Sequence, residues 1–292
     1  MIKAHVEVNE DSVEQLEETL YGIAPHNWVL NFNHSRNVTL LEGYFKDIRE
    51  SENAFNQIIE NGILSALPSL LFEEIDEEDW QNAYKKHFHP WKIKNFHWIP
   101  VWKKDSYLIP KDHLKLYMDP GMAFGTGNHE TTKLCLESLV TLCEKLHLAS
   151  EYSFLDVGCG SGILAMTASL LGFKKVDAID FDPLAIKVSG ENANINEIDN
   201  INFETKDLNA YQPPTKYDFI VANIQADILQ SNAKQLIKFL NKNGYLMLSG
   251  ILNEEGEQTK QYFQVLLDKT DQNYISETKT MNQWSLIIFQ II

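Results

Sequence analysis

Residues 154–164 restrict the fold of this chain more than any other stretch. An apolar run, Phe154-Leu155-Asp156-Val157, meets glycines at alternate positions, Gly158, Gly160 and Gly162, and a second apolar run begins at Ile163. That order reads as a strand, a sharp turn and a helix. Glycine suits a backbone that must turn tightly and admit a ligand, and the helix start beyond it offers free N–H groups. From about residue 106 to residue 292, strand-like and helix-like runs alternate, which predicts an α/β fold with a mostly parallel sheet. Strand-like runs are Ser153–Val157, Lys175–Ile179, Asn202–Glu204, Phe219–Ala222 and Tyr245–Ser249. A final pair, about 274–279 and 284–290, turns at Met281-Asn282. Helices are expected over 129–147, 162–171, 183–195, 225–242 and 255–269. An antiparallel hairpin closing such a sheet is unusual among dinucleotide folds.

The glycine spacing is G-x-G-x-G, whereas the dinucleotide fingerprint is G-x-G-x-x-G, and Ile163 occupies the place of its third glycine. S-adenosylmethionine fits this departure, because it has no pyrophosphate but carries an ammonium and a sulfonium. Asp156, two residues ahead of Gly158, suits that ammonium electrostatically; the alternative is a turn with a structural role only. Asp180 follows the next strand, 22 residues after Gly158, where an acidic residue accepts both ribose hydroxyls. Asp182 before Pro183 is better read as a helix N-cap, and Asp177 as solvated. Asp207, past the third strand, stands where an acidic residue can meet the adenine amino group, or else is a surface aspartate. Asn223 ends the fourth strand, where its side-chain carbonyl can orient an attacking amine; a helix N-cap is the other reading. Residues 118–132 hold three glycines ahead of a helix but lack the G-K-[ST] of a P-loop. Thr132 would face the cofactor from the first turn of that helix, with Asn128 as its cap.

The first 80 residues read as β-α-β-β-α-β, the order of a ferredoxin-like unit. Ile2–Val8, Trp28–Phe32, Val38–Phe45 and Leu70–Ile75 are strand-like, with a turn expected over Asn33–Asn37. Asp11 caps a helix with Val13, Leu16, Leu20 and Ile23 on one side, and residues 51–65 form a second with Ala54, Ile58, Ile59 and Leu64. Residues 80–105 break the pattern with Trp80, Tyr84, Phe88, Trp91, Phe96, Trp98 and Trp102, and read as an aromatic-rich linker; the same rings equally suit an ordinary core. The division is therefore 1–79, 80–105 and 106–292.

The net charge of −16 is concentrated in residues 1–90, with 17 Asp or Glu against 6 Lys or Arg. Its densest part is Glu73-Glu74-Ile75-Asp76-Glu77-Glu78-Asp79, either a solvated face or a docking surface. No basic face suited to a nucleic-acid backbone is visible, and an acidic chain attracts basic partners instead. His87, His89 and His97 lack the cysteines or paired carboxylates of a metal set, so no metal is expected. Three cysteines, Cys135, Cys143 and Cys159, make no disulfide framework, and neither a secretory signal nor a span is visible; a cytoplasmic chain is expected.

These motifs are similar to a known family. Asp119-Pro120-Gly121, Ala123-Phe124-Gly125-Thr126-Gly127, His129 and Thr131-Thr132 resemble the ribosomal protein L11 methyltransferases. So do Phe88-His89-Pro90, residues 158–164, Ala222-Asn223-Ile224 and Ser249-Gly250-Ile251-Leu252. The resemblance covers about residues 80–292 by motif and the rest by topology. It implies a Rossmann-like, seven-stranded class I methyltransferase domain behind a small α+β docking domain, joined by a linker that lets the two swing. It implies S-adenosylmethionine as cofactor and trimethylation of lysines, in some members also of the N-terminal amine, of a basic large-subunit ribosomal protein. Cofactor contacts carried over fall on Thr132, Gly158, Asp180 and Asn223. Asn128, Glu130 and Gln225 depart from the family pattern, where threonine, proline and leucine are expected. The chemistry expected is in-line attack by a neutral amine on the sulfonium methyl without an acid–base dyad, by a monomer that binds neither nucleic acid nor membrane. Rival readings are a methyltransferase for another protein lysine or a small molecule, an NAD enzyme, and a non-catalytic acidic module.

Overall fold

The computed structural model describes residues 2–9, 12–22, 27–33, 38–61, 69–74, 88–119, 129–146, 149–270 and 272–292. The chain divides into two compact units, Met1–Phe88 and His89–Ile292.

The first unit has strands β1 (Ile2–Val8), β2 (Trp28–Asn33), β3 (Val38–Phe45) and β4 (Leu71–Glu74), with helices α1 (Val13–Gly22) and α2 (Ile48–Asn61). The sheet order is β2-β3-β1-β4 with antiparallel neighbours, a split β-α-β arrangement. Period-two alternation along β1 sends Ala4, Val6 and Val8 into a core with Leu16, Leu20, Trp28, Leu41, Phe45, Phe55 and Ile58. In α2 the inward residues are Phe55 and Ile58, while Ile59, expected on that face, is exposed. The expected Asp11 cap, most of the Asn33–Asn37 turn, Ile23, Leu64 and the acidic run beyond Glu74 lie outside the described residues.

The second unit opens with a three-stranded sheet that the sequence pattern did not suggest. Its strands are β5 (Trp91–Ile93), β6 (Phe96–Pro100) and β7 (Leu114–Met118), antiparallel between β5 and β6 and parallel between β6 and β7. The expected linker is thus, from residue 89, part of this unit. The cause is aromatic packing: Trp98 stacks between Trp91 (4.3 Å) and Phe96 (4.4 Å) and donates its indole N–H to Thr167 Oγ1. Burying an aromatic side chain of that size is worth roughly 1.5–3 kcal/mol. His97 is buried against Tyr107 OH and His113 Nδ1, and Trp80, Tyr84 and His87 lie outside the described residues.

A seven-stranded sheet follows, in the order β10-β9-β8-β11-β12-β14-β13. Strands β8 (Ser153–Val157), β9 (Lys175–Asp180), β10 (Ile201–Thr205), β11 (Tyr217–Asn223) and β12 (Leu240–Leu252) run parallel, and β13 (Tyr274–Met281) and β14 (Trp284–Ile291) form the antiparallel end. Its helices are α3 (Glu130–Leu146), α4 (Ile163–Leu170), α5 (Pro183–Ile195), α6 (Ala226–Ser231), α7 (Ala233–Phe239) and α8 (Asn253–Leu267). The central strands are covered on both faces, so Phe154, Leu155, Val157, Phe219, Ile220, Val221 and Ala222 are all buried. The single helix expected over 225–242 is two, broken at Asn232. There the side-chain amide donates to Ile228 O and competes with the helical backbone. The final turn is Asn282-Gln283, one residue later than expected, with Asn282 at φ 52°. Among the described residues no helix is long and apolar enough to cross a membrane.

Candidate active site

The sheet reverses its strand order between β8 and β11: the chain runs outward through β9 and β10, then returns to β11 on the other side of β8. In open α/β sheets ligands sit at that point, beyond the carboxyl ends of the strands. The register pairs Val157 with Ala222, so the glycine turn after β8 and Asn223 at the end of β11 are neighbours.

All three turn glycines have positive φ, 69° at Gly158, 52° at Gly160 and 79° at Gly162. A Cβ on Gly158 would collide with Ile224 Cγ2, and one on Gly162 would stand 2.8 Å from Ser189 Cβ. The turn is therefore closed against β11 on one side and α5 on the other. Its amides are largely engaged. Gly158 and Cys159 N–H both donate to Ile179 O, Gly162 N–H to Cys159 O, and Gly160 N–H to Asp180 Oδ2 at 2.9 Å. A phosphate cradle needs such amides free. This turn is not built as one, which argues against the dinucleotide reading.

Asp180 braces the turn rather than standing apart from it. Its second oxygen accepts from Asp182 N–H at 3.0 Å, and burial raises its pKa against those amide hydrogen bonds. Each carboxylate oxygen accepts more than one hydrogen bond, so the ribose role is compatible with the brace. Asp182 caps α5 as expected, accepting from Leu184 N–H at 2.8 Å.

Asp156 is fully buried. One oxygen accepts from Ala165 N–H, and the other has no partner among the described residues. Burial pushes its pKa up to about 7, with the charge of Asp180 adding to the rise and the Ala165 amide opposing it. Asn223 shows the same pattern. Its amide nitrogen donates to Thr132 Oγ1 at 3.4 Å, and its buried carbonyl oxygen has no partner among the described residues. It caps no helix, since Gln225 precedes α6. A buried acceptor without a donor costs about 1–3 kcal/mol. Two of them near the ends of adjacent strands suit a cationic, hydrogen-bond-donating ligand, and S-adenosylmethionine is one.

Thr132, buried in the first turn of α3, joins this group through Asn223 across 91 residues of sequence. His129 beside it is edge-on to Trp284 and bonded to Thr131, and burial lowers its pKa. Glu130, a departure from the family pattern, accepts from Asn282. The Pro120–Asn128 block, with the expected Asn128 cap, lies outside the described residues. Asp207 stands apart: one oxygen accepts from the backbone and side chain of Asn209 in a local turn, which is the plainer of its two readings. Its other oxygen is compatible with an adenine contact.

Asp177 is not solvated. It is buried, accepts from Tyr217 OH, Lys175 and Asn202, and lies level with Leu155 in the register, with its partners toward the amino ends of the strands. Sequence reasoning also missed Asn192, which is buried on α5 and bonded to Ser161 O in the glycine turn. A signal existed: asparagine is a poor helix former, and Asn192 and Asn196 recur at helical spacing.

A family model described as ribosomal protein L11 methyltransferase (PrmA) matches residues 6–291. The chain is 36% identical over 262 residues to the ribosomal protein L11 methyltransferase of Caldicellulosiruptor saccharolyticus, covering 87% of this chain and 81% of that one. It is 35% identical to that of Alkaliphilus oremlandii, covering 86% and 79%. Among solved structures, the ribosomal protein L11 methylase from Lactobacillus delbrueckii subsp. bulgaricus superposes with a TM-score of 0.59 at 31% identity, over 69% of this chain and 98% of that one.

Proposed function

The chain belongs to the ribosomal protein L11 methyltransferase family, and we propose that it trimethylates lysine side chains of that ribosomal protein with S-adenosylmethionine. The N-terminal amine of the same protein is a second acceptor. The observation that carries the cofactor reading is the turn itself: its amides are engaged, while the buried groups left without partners, Asp156 Oδ1 and Asn223 Oδ1, are acceptors.

The cofactor, when bound, supplies a methyl already activated on a sulfonium. Gly158, Gly160 and Gly162 would let it approach the backbone, Asp180 would accept from the ribose hydroxyls, Asp207 would meet the adenine amino group, and Asp156 would balance the cationic methionyl end. Thr132 holds the Asn223 amide, which leaves the Asn223 carbonyl oxygen to accept an N–H of the incoming amine and would so orient that amine. Free lysine has a pKa near 10.4, so the amine must be neutralised. Desolvation beside a cationic partner does this, and holding the amine in line supplies much of the rate. The acidic first unit docks the basic substrate protein. The enzyme works in the cytoplasm as a monomer, with no direct contact to nucleic acid or membrane.

The test is incubation of the chain with radiolabelled S-adenosylmethionine and purified L11, followed by mass mapping of the labelled amines. Label on L11 lysines supports the proposal. Label on another protein or small molecule, or tight binding of L11 without transfer, rejects it.

A further inference from the structure

Asn192 on helix α5 and Asn196, the C-cap residue one turn later, make different bridges. Asn192 is 1% exposed. Its amide nitrogen donates to Ser161 O at 3.1 Å, and its carbonyl accepts from Asp119 N–H at 3.2 Å. Asn196, at the end of the helix, accepts from Tyr117 N–H at 2.7 Å and donates to Tyr117 O at 2.6 Å. Asn196 therefore grips β7 itself and Asn192 the residue just past its end, and only Asn192 also reaches the glycine turn. Ser161 lies between two glycines of positive φ, where the backbone has little steric reason to stay put. Close packing of Ser189 against Gly162 brings the same helix to the same turn. An asparagine inside a helix costs roughly 0.5 kcal/mol against alanine, so its side chain must return something for the position to be worthwhile.

We propose that Asn192 is a positioning residue for the cofactor turn: by joining Ser161 to Asp119 it holds the turn in its binding shape and couples it to the start of the Asp119-Pro120-Gly121 motif. It acts through Ser161 and not by contact with the reacting atoms. The inference rests on the cofactor reading given above.

The experiment compares the full chain with its Asn192→Ala and Asn196→Ala variants; the first loses the bonds to Ser161 and Asp119, the second two bonds to Tyr117 and one to the Asn192 backbone carbonyl. Calorimetric titration with S-adenosylmethionine is expected to show Kd raised about tenfold or more in Asn192→Ala, with KM for the cofactor following and kcat changed by less than about threefold. Asn196→Ala lowers Tm comparably but keeps Kd within about twofold, because it does not touch the turn. Unchanged Kd in Asn192→Ala, or equal Kd changes in both variants, overturns the inference. Should Asn192→Ala fail to fold, hydrogen exchange in the unmodified chain decides. The Asp119 amide should exchange more slowly on saturation with S-adenosylmethionine while the Tyr117 amide does not, and equal responses overturn the coupling. An unmodified chain that binds no S-adenosylmethionine brings down the cofactor reading itself; binding without the Asn192 effect brings down this inference alone.

Discussion

The two ends of the seven-stranded sheet bury the same kinds of side chain and treat them in opposite ways. Toward the amino ends of the strands the carboxylate oxygens of Asp177 and Asp218 are all met. Asp177 accepts from Tyr217, Lys175 and Asn202, and Asp218 accepts from Ser153 on one oxygen and Asn241 on the other. At the carboxyl ends Asp156 and Asn223 each keep a buried oxygen without a partner among the described residues, next to a turn of left-handed glycines. Buried polar groups are normally satisfied, so unmet acceptors beside the glycine turn are the cost that the proposed cofactor site would carry. On that proposal one end serves stability and the other binding.

The largest expected effect comes from Gly158→Ala. It forces a Cβ into Ile224 at a positive φ, and left-handed strain of about 1–2 kcal/mol adds to overpacking of about 1–3 kcal/mol. Calorimetry should find no measurable cofactor binding; retained affinity would mean the turn is not the site. Asp156→Asn comes next. In the ligand-free protein this carboxyl contributes stability that is full below its ordinary value of 3.8 and lost as pH rises to about 7. That loss is worth on the order of 4 kcal/mol. Urea unfolding at pH 5 and pH 8 should show the variant gaining stability relative to the native chain at the higher pH while binding cofactor more weakly. Burial raises Asp180 too, so its contribution to stability has the same sign in both proteins. Asp180→Ala should raise Kd for the cofactor by about 10- to 100-fold, the weight of hydrogen bonds to a charged group. The smallest effect is at the other end. Tyr217→Phe should cost about 1 kcal/mol in chemical denaturation and leave Kd unmoved. If it weakened cofactor binding as much as Asp180→Ala, the contrast between the ends would fail.

The contrast also explains what could be read in advance. Strand Ser153–Val157 and helix Pro183–Ile195 were legible to the residue, and so was the Asp182 cap, because apolar periodicity, an N-cap and a proline are local signals. Gly158, Gly160, Gly162, Asp156 and Asp180 were legible as a group because one strand–turn–helix unit and the strand after it carry them. Asp177 was misread because its partners, Tyr217 and Asn202, come from two other strands. The sheet of β5, β6 and β7 was missed because its parallel pair joins Phe96 to Leu114 across a loop, and its aromatics carry no periodicity in so few residues.

The order of elements from β8 to β11 and the kind of turn between β8 and the helix after it follow from the chain alone, since each depends on neighbours within a few residues. Which buried oxygens stay unmet, that Thr132 holds Asn223, and that Asn192 ties the turn to Asp119 were decided only by folding. Those contacts join residues 31 to 91 positions apart, and no local preference encodes whether a distant donor arrives.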